Sequence, residues 1–254
     1  MTVATVAFCF GVLLVAGAGI FLLLILGDLR ALWTLHRLRP SPVGTRGRVA
    51  LEGTTEYGIA GRQIAPATGE DCAWYRLVLL REPSRALTTG DYGPDHDVIL
   101  EIESPAWPAI ADHAARIPVD PRLVSPSRAL YDPIMSGPYA YTVTSLEHRH
   151  AAPVPLPPIV PDDVVADLRR SERLRLTEIR LPRGVPVFAL GRTTSRGLLP
   201  SRTGLTVFTT DSRAKTIAVR RDDIRTGRMG AVWLTAIGLV LAVPSALYLT
   251  SLPG

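Results

Sequence analysis

The stretch TGEDCAWYRLVLL, from Thr68 to Leu80, decides how the middle of this chain folds. It begins with turn-forming polar residues and continues into a run of aromatic and aliphatic residues, which is typical of a β-strand. Cys72 lies where the turn meets the strand. A cysteine there could be a nucleophile, a metal ligand or a buried part of a sheet, and the rest of the sequence decides among these.

Charged residues are confined to the part of the chain between Asp28 and Arg228. On either side lies an apolar run, 3–26 and 231–250, of the ~20 residues that a helix needs to cross a bilayer. A cleaved signal peptide is the alternative for the first run. No basic residue precedes that run, however, and its apolar core exceeds the usual ~7–15 residues of a signal peptide. We therefore expect two transmembrane helices.

Between the apolar runs, short segments rich in Val, Ile, Leu and Thr alternate with Gly and Pro, as in β-structure. Two segments favour helices instead. Pro108–Arg116 begins with a proline suited to a first helical turn, and Pro161–Leu176 has acids early and arginines late. The expected fold is an α+β, β-dominated soluble domain over 39–225, between the two spans. The predicted strands are Gly47–Leu51, Trp74–Arg81, Asp97–Glu103, Tyr139–Glu147, Val185–Leu190, Leu205–Thr209 and Thr216–Val219.

Residues 151–161 contain five prolines. Proline has no backbone N–H, so such a run is not expected to join a sheet ladder and favours extended polyproline geometry. We predict a linker here, between the strand-rich first part of the domain and its last elements.

The net charge of +5 and the pI near 9.6 come almost wholly from arginine, because Lys215 is the only lysine. The arginines are dispersed among 23 acidic residues, with no basic block interleaved with aromatics, so no nucleic-acid partner is expected. Several arginines lie beside the apolar runs. The lipid bilayer is therefore the expected partner, with anionic lipid near these cations.

No set of metal ligands emerges from the sequence. Cys9 lies in the first apolar run and Cys72 in the domain, so neither a disulfide framework nor a four-cysteine zinc site can form within the chain. His148 and His150 would share one face of a strand, but no cysteine or carboxylate lies at ligand spacing. We expect solvated histidines and no bound cofactor.

The segment GRTTSRGLLPSRTG, residues 191–204, contains glycines and arginines that could hold an anion. Its serines, Ser195 and Ser201, lie outside any nucleophile elbow, and the segment lacks the pattern of a phosphate-binding loop. A turn between two strands is the favoured interpretation. No catalytic triad, carboxylate dyad or dinucleotide fingerprint is found elsewhere, so no catalytic residue is predicted.

Cys72 is the remaining candidate nucleophile. Reactive thiols need a nearby cation or helix N-terminus, which lowers the thiol pKa. The nearest charges in sequence are Glu70 and Asp71, which would raise that pKa. These carboxylates, like Asp222 and Asp223, are typical of solvated turns. A small apolar residue packed at the start of a strand is the favoured role for Cys72.

Two motifs then carry a resemblance to a known family. The first is P-x-x-G-x-x-C-x-x-Y, formed by Pro66, Gly69, Cys72 and Tyr75. The second is E-x-x-L-x-x-G-x-x-V-x-x-L-G, formed by Glu178, Leu181, Gly184, Val187, Leu190 and Gly191. With the order of the segments over Val43–Leu249, these motifs resemble the GIDE domain, also called the BAM ("beside a membrane") domain. It occurs in the mitochondrial ubiquitin ligase activator of NF-κB and in bacterial membrane proteins.

The resemblance implies a β-rich domain held beside a membrane, of the bacterial type. One departure lies before Val119-Asp120-Pro121, where the family usually has an Asp-x-x-Gly turn. Eukaryotic members of the family add a RING that binds zinc and recruits a ubiquitin-conjugating enzyme. A RING needs several Cys and His ligands, and these 254 residues contain two cysteines, so the E3 ubiquitin transferase activity of the family lacks its zinc-binding half here.

Two functions therefore stay open. One is a non-enzymatic membrane module whose domain acts as an interaction or sensory platform. The other is an enzyme, either of the E3 ubiquitin transferase type that the family implies or one that uses Cys72 as its nucleophile.

Arginines beside the apolar runs predict the topology in the cell membrane. Juxtamembrane Lys and Arg are retained on the cytoplasmic side, which favours a cytoplasmic domain with both termini outside. Two observations oppose this: long loops are translocated largely regardless of charge, and the mitochondrial relatives carry the domain in the intermembrane space, which corresponds to a periplasm. The arginines concerned are Arg30, Arg37, Arg39, Arg220, Arg221, Arg225 and Arg228.

Overall fold

The computed structural model describes residues 2–85, 95–113, 115–125, 139–202 and 204–251. The chain divides into two compact units. One spans residues 40–212 and holds the 12 strands of the described residues, so the β-rich domain expected between the apolar runs is confirmed. The other combines residues 1–39 with 213–254 and consists of two long helices.

The helical unit contains α1, Thr2–Arg37, and α4, Arg213–Thr250. Both are long and apolar enough to cross a membrane, which is compatible with a two-span membrane protein. At 1.5 Å per residue they are about 54 and 57 Å long, whereas a bilayer core is about 30 Å thick. The charged end of each helix therefore continues well past the apolar run.

Small residues form the closest contact between α1 and α4. A Cβ atom on Gly11 would lie 2.6 Å from the carbonyl oxygen of Gly238 and 2.7 Å from the backbone nitrogen of Ala242. Towards the other end of the pair, Asp28 accepts a hydrogen bond from Arg220 at 2.8 Å. The two helices are thus antiparallel, and glycine is what allows their backbones to approach.

The larger sheet of the β-rich unit has the strand order β11-β10-β1-β6-β7, and β12 also pairs with β10. Each of its strand pairs is antiparallel. Its long central strands, β1 and β10, pair along eight residues and carry the short strands at their edges. The strands are β1 Gly47–Glu56, β6 Ala109–Ala111, β7 Arg116–Pro118, β10 Pro186–Thr194, β11 Gly197–Leu199 and β12 Val207–Thr209.

The second sheet has the order β5-β4-β9-β8, also antiparallel, and a two-stranded ladder joins β2 to β3. Its central pair is β4 with β9, which places the stretch quoted at the outset in the middle of a sheet. The strands are β2 Gln63–Ile64, β3 Asp71–Cys72, β4 Trp74–Glu82, β5 Asp97–Glu103, β8 Thr142–Arg149 and β9 Arg173–Leu181.

Strand β4 is buried on both faces. Trp74 and Val78 belong to the main core, which contains residues of both sheets, whereas Leu77 and Leu79 belong to a second core. The second core also contains Val160 of the proline-rich segment. Residues 151–161 therefore cover the outer face of the second sheet and are more than the linker that the prolines predicted.

Two predicted helices are largely wrong. Pro108–Arg116 contains strand β6, because Ile110 is buried and pairs with Thr55 of β1. Pro161–Leu176 contains a short helix α3, Asp162–Ala166, and then the start of β9. A further short helix, α2, spans Pro121–Val124. Ladder hydrogen bonds outweigh local helix propensity in both segments.

The last predicted strand, Thr216–Val219, is wrong because it lies within α4. Four residues are too few to distinguish the periods of a strand and a helix. Residues 213–225, which the sequence assigned to the domain, belong to the helical unit. Ile217 and Ile224 of this segment are buried there, seven residues apart on one side of the helix.

Candidate functional site

Cys72 lies in strand β3, opposite Gln63 of β2, and is fully buried. Its Sγ atom is 3.8 Å from the carbonyl oxygen of Gln63. Burial, followed by the negative charges of Glu178 and Asp71, raises the pKa of the Cys72 thiol to about 11. The thiol is therefore protonated at neutral pH, as a packed apolar residue would be.

We expect Cys72 to react slowly with a maleimide near neutral pH and rapidly once the protein is denatured. The thiol pKa is raised in the folded state, so its contribution to stability is complete below the ordinary thiol pKa and is lost as pH rises towards about 11. A Cys9→Ala background isolates the signal of Cys72, which mass spectrometry can follow over time. Labelling as fast in the native as in the denatured protein would contradict the buried thiol.

Glu178 of β9, the first residue of the second motif, bonds the turn that contains Pro66 and Gly69 of the first motif. Its side chain is 1% exposed and accepts hydrogen bonds from the backbone N–H of Ala67 and from Oγ1 of Thr68, both at 2.6 Å. The turn closes on itself, since the N–H of Gly69, at φ +70°, donates to the carbonyl oxygen of Ala65 at 2.8 Å. We call residues 65–71 the Glu178 turn.

The motif residues thus fall into two groups. Pro66, Gly69 and Cys72 belong to or adjoin the Glu178 turn, and Tyr75 follows in β4, where burial raises its pKa. Gly184 and Gly191 flank and enter β10 in the other sheet. The contacts of these residues fix the backbone of a turn and of a strand.

At both positions of the second group, Gly184 and Gly191, the backbone geometry favours glycine over a residue with a side chain. Gly184 has φ +77°, and its N–H donates to the carbonyl oxygen of Thr55 at 2.8 Å. A Cβ atom on Gly191 would lie 2.6 Å from the carbonyl oxygen of Leu199. Gly184 therefore supports the turn before β10, and Gly191 allows β11 to pack closely against β10.

The two histidines weighed as a metal pair contact backbone carbonyls. Nδ1 of His148 is 2.8 Å from the oxygen of Val154, and Nε2 of His150 is bonded to the oxygen of Leu168. These bonds connect the end of β8 to the proline-rich segment and to the chain after α3. Among the described residues no group of three or more His, Cys, Asp or Glu side chains is placed to hold a metal.

The arginines that predicted the topology all lie in the helical unit. Arg30 and Arg37 are in α1, where the guanidinium of Arg37 is 5.0 Å from the ring centroid of Trp33, and Arg39 follows that helix. In α4, Arg220 pairs with Asp28, and the guanidinium of Arg221 is 3.2 Å from Nε2 of His36. We call this set of arginines the basic belt.

Part of the basic belt lines a groove of about 490 Å³ along α4. Arg225 and Arg228 have no ion partner in the described part of the chain, whereas Trp233 one turn on is 67% exposed. Cations at one end and apolar side chains at the other match the boundary between lipid headgroups and acyl chains. The lining residues are Arg221, Ile224, Arg225, Arg228, Met229, Val232 and Trp233.

This groove was not predicted, although a signal for it exists in the sequence. Positions 221, 225, 228 and 232 follow the three-to-four-residue spacing of one helix face. Assigning Thr216–Val219 to a strand made the predicted helix start too late in the chain, at residue 231, and concealed that face.

The chain matches no protein-family model, no curated protein and no solved structure. The resemblance to the GIDE domain therefore rests on the two motifs and stays a prediction.

Proposed function

We propose that this chain is a two-span membrane protein that carries its β-rich unit beside the bilayer as a non-catalytic interaction module. The surface of the α1–α4 pair is the observation that supports the membrane part. Its large apolar side chains are exposed along both helices: Leu13 is 67%, Leu23 69%, Val240 71% and Leu247 66% exposed. Exposed apolar patches of this extent mark contact with lipid or protein. A lipid bilayer is the simpler of these two partners, because it would cover both helices at once.

The basic belt supports contact with anionic lipid. It lies where the apolar runs end, and the groove on α4 combines Arg225 and Arg228, for which the described residues offer no ion partner, with an exposed tryptophan. Arginine binds lipid phosphate, and tryptophan favours the membrane interface. The interaction role of the β-rich unit has a separate support, its resemblance to a domain family found beside membranes.

Membrane fractionation tests the first part of this proposal. The full chain should sediment with membranes, resist extraction by alkaline carbonate and dissolve in mild detergent. Peptides covering residues 3–26 should be found in the purified protein, which would exclude a cleaved signal peptide. Recovery of the intact chain in the soluble fraction would contradict membrane insertion.

We expect the β-rich unit to be cytoplasmic, because the basic belt lies on the domain side of both spans. Reporters inserted at Ala151, an exposed turn residue, measure the topology. A fluorescent protein that folds only in the cytoplasm should fluoresce there, and alkaline phosphatase should be inactive. Active phosphatase with no fluorescence would place the unit outside.

A further inference from the structure

A second groove, of about 400 Å³, lies in the β-rich unit between β10, β11 and the segment that follows β7. Three arginines and two hydroxyl residues contribute to its walls, and none of the described residues that line it is acidic. We call it the arginine groove. Its lining residues are Arg122, Arg192, Thr194, Leu199, Pro200, Ser201 and Arg202.

Arg122 is held in place by a buried carboxylate. Asp120 is 2% exposed and accepts hydrogen bonds from the Arg122 guanidinium, with Nη2 at 2.6 Å and Nε at 3.1 Å. Although burial opposes it, these bonds and that of the Arg122 N–H lower the pKa of Asp120. The N–H of Asp120 in turn donates to the oxygen of Leu198 in β11 at 2.9 Å, so one edge of the groove is fixed.

Arg192 has a like charge as its neighbour. It lies directly opposite Arg48 in the β1–β10 ladder, and opposite Leu199 in the β10–β11 ladder. Like charges directly opposite each other on paired strands are destabilising. Within the described residues, neither Arg192 nor Arg202 has an ion partner, so the positive charge at this edge of the sheet is not neutralised.

Ser201 adds an unused hydrogen-bonding group. Its Oγ atom is buried and has no hydrogen-bond partner among the described residues, although its N–H donates to Oγ1 of Thr206 at 3.0 Å. Buried hydroxyl groups are nearly always bonded, so the Ser201 hydroxyl is available to bond a water or a ligand atom in the groove.

We propose that the arginine groove binds the phosphate group of a small anionic ligand. Arginine presents its N–H donors in a planar fork that matches phosphate oxygens, and the Ser201 hydroxyl would supply a further bond. A groove of this volume is within the range of small-molecule sites. A phosphate-bearing solute and a lipid headgroup share this chemistry, and the proposal holds whether or not the chain inserts into a membrane.

Titration of inorganic phosphate into the full chain, held in phosphatidylcholine nanodiscs, tests the site by calorimetry. We expect saturable binding that Arg192→Gln and Arg202→Gln each weaken about tenfold, the size of one lost charge-assisted bond. Arg122 is left unchanged, because its removal would leave Asp120 buried and unpaired. Thermal unfolding should show that both variants fold.

Arg196→Gln is the matched control. It removes the same charge from the β10–β11 turn, outside the groove lining, and should bind phosphate as the unmodified chain does. The absence of saturable binding, equal binding by Arg192→Gln, or equal weakening by Arg196→Gln would each overturn the proposal.

Nanodiscs that contain phosphatidic acid, with no added phosphate, distinguish the two sources. A lipid ligand should raise the thermal midpoint of the chain, and Arg192→Gln should remove that increase while Arg196→Gln preserves it. If Arg192→Gln leaves the rise in thermal midpoint unchanged while inorganic phosphate still binds saturably, the ligand of the groove is a free solute.

Discussion

Replacing Glu178 with alanine is expected to lower the thermal midpoint of the β-rich unit by roughly 5–15 °C. The carboxylate accepts bonds from the Ala67 N–H and the Thr68 hydroxyl, and each of these partly buried donors costs about 1–3 kcal/mol when it is left unpaired. In a unit of this size, 1 kcal/mol shifts the midpoint by about 2–4 °C. Near-ultraviolet circular dichroism of the full chain in detergent measures the change, since the ring of Trp74 is packed in the core.

Glu101→Ala is the matched control. Glu101 pairs with Arg76 but is 43% exposed, and exposed ion pairs contribute about 0–1 kcal/mol. Glu178→Gln keeps one acceptor oxygen, so its thermal midpoint should lie between those of Glu178→Ala and Glu101→Ala. Combining Glu178→Gln with Thr68→Val should lower the thermal midpoint by less than the sum of the separate changes, because both changes affect the one bond between these side chains. Equal midpoints for Glu178→Ala and Glu101→Ala would show that the Glu178 turn adds nothing to stability.

The sequence identified the residues of the Glu178 turn but not their contact. The bonded groups are 110 and 111 positions apart, and periodicity concerns only near neighbours in the chain. The burial of Cys72 could be predicted, because the alternation in its own segment indicated it, and the adjacent carboxylates separately predicted a raised thiol pKa. The negative charge of Glu178 near that thiol could not, since it depends on how β9 pairs with β4.

Strand prediction succeeded where the apolar pattern and the turns agreed. The predicted starts at Gly47, Trp74 and Asp97 coincide with those of β1, β4 and β5. Strand β9 was missed although its RLRL sequence alternates, because early acids and late arginines also match a helix dipole. In the structure Arg173 and Arg175 both pair with Glu82 of β4, a contact that gives these charges a role in the sheet.

The apolar runs predicted the two long helices, but not the helical continuation of α4 through residues 213–230. That segment is polar and short of apolar residues, so its own sequence favours no single structure. Contacts with α1 stabilise it: Arg213 donates to the oxygen of Leu35 at 2.6 Å, and Arg220 pairs with Asp28. The groove on α4 lies partly on this continuation, so it stayed hidden while residues 216–219 were assigned to a strand.

Replacing Gly11 with isoleucine is expected to separate α1 from α4 near their closest approach. A Cβ atom at this position would lie 2.6 Å from the oxygen of Gly238, and backbone cannot move aside as a flexible side chain does. Overpacking of this kind costs about 1–3 kcal/mol, and in lipid close packing is a main source of helix association. Gly17→Ile is the matched control, because nothing lies within 4 Å of a Cβ atom there.

Cross-linking measures this separation. Asp28→Cys and Arg220→Cys introduce thiols where the two helices form their ion pair, in a background of Cys9→Ala, while buried Cys72 reacts slowly. A short bis-maleimide should join the two positions efficiently in the chain that keeps Gly11 and in Gly17→Ile. With Gly11→Ile the yield should fall severalfold, because the helices diverge from the blocked contact. Equal yields for Gly11→Ile and Gly17→Ile would show that the glycine contact does not hold the pair together, because these variants already lack the ion pair of Asp28 and Arg220.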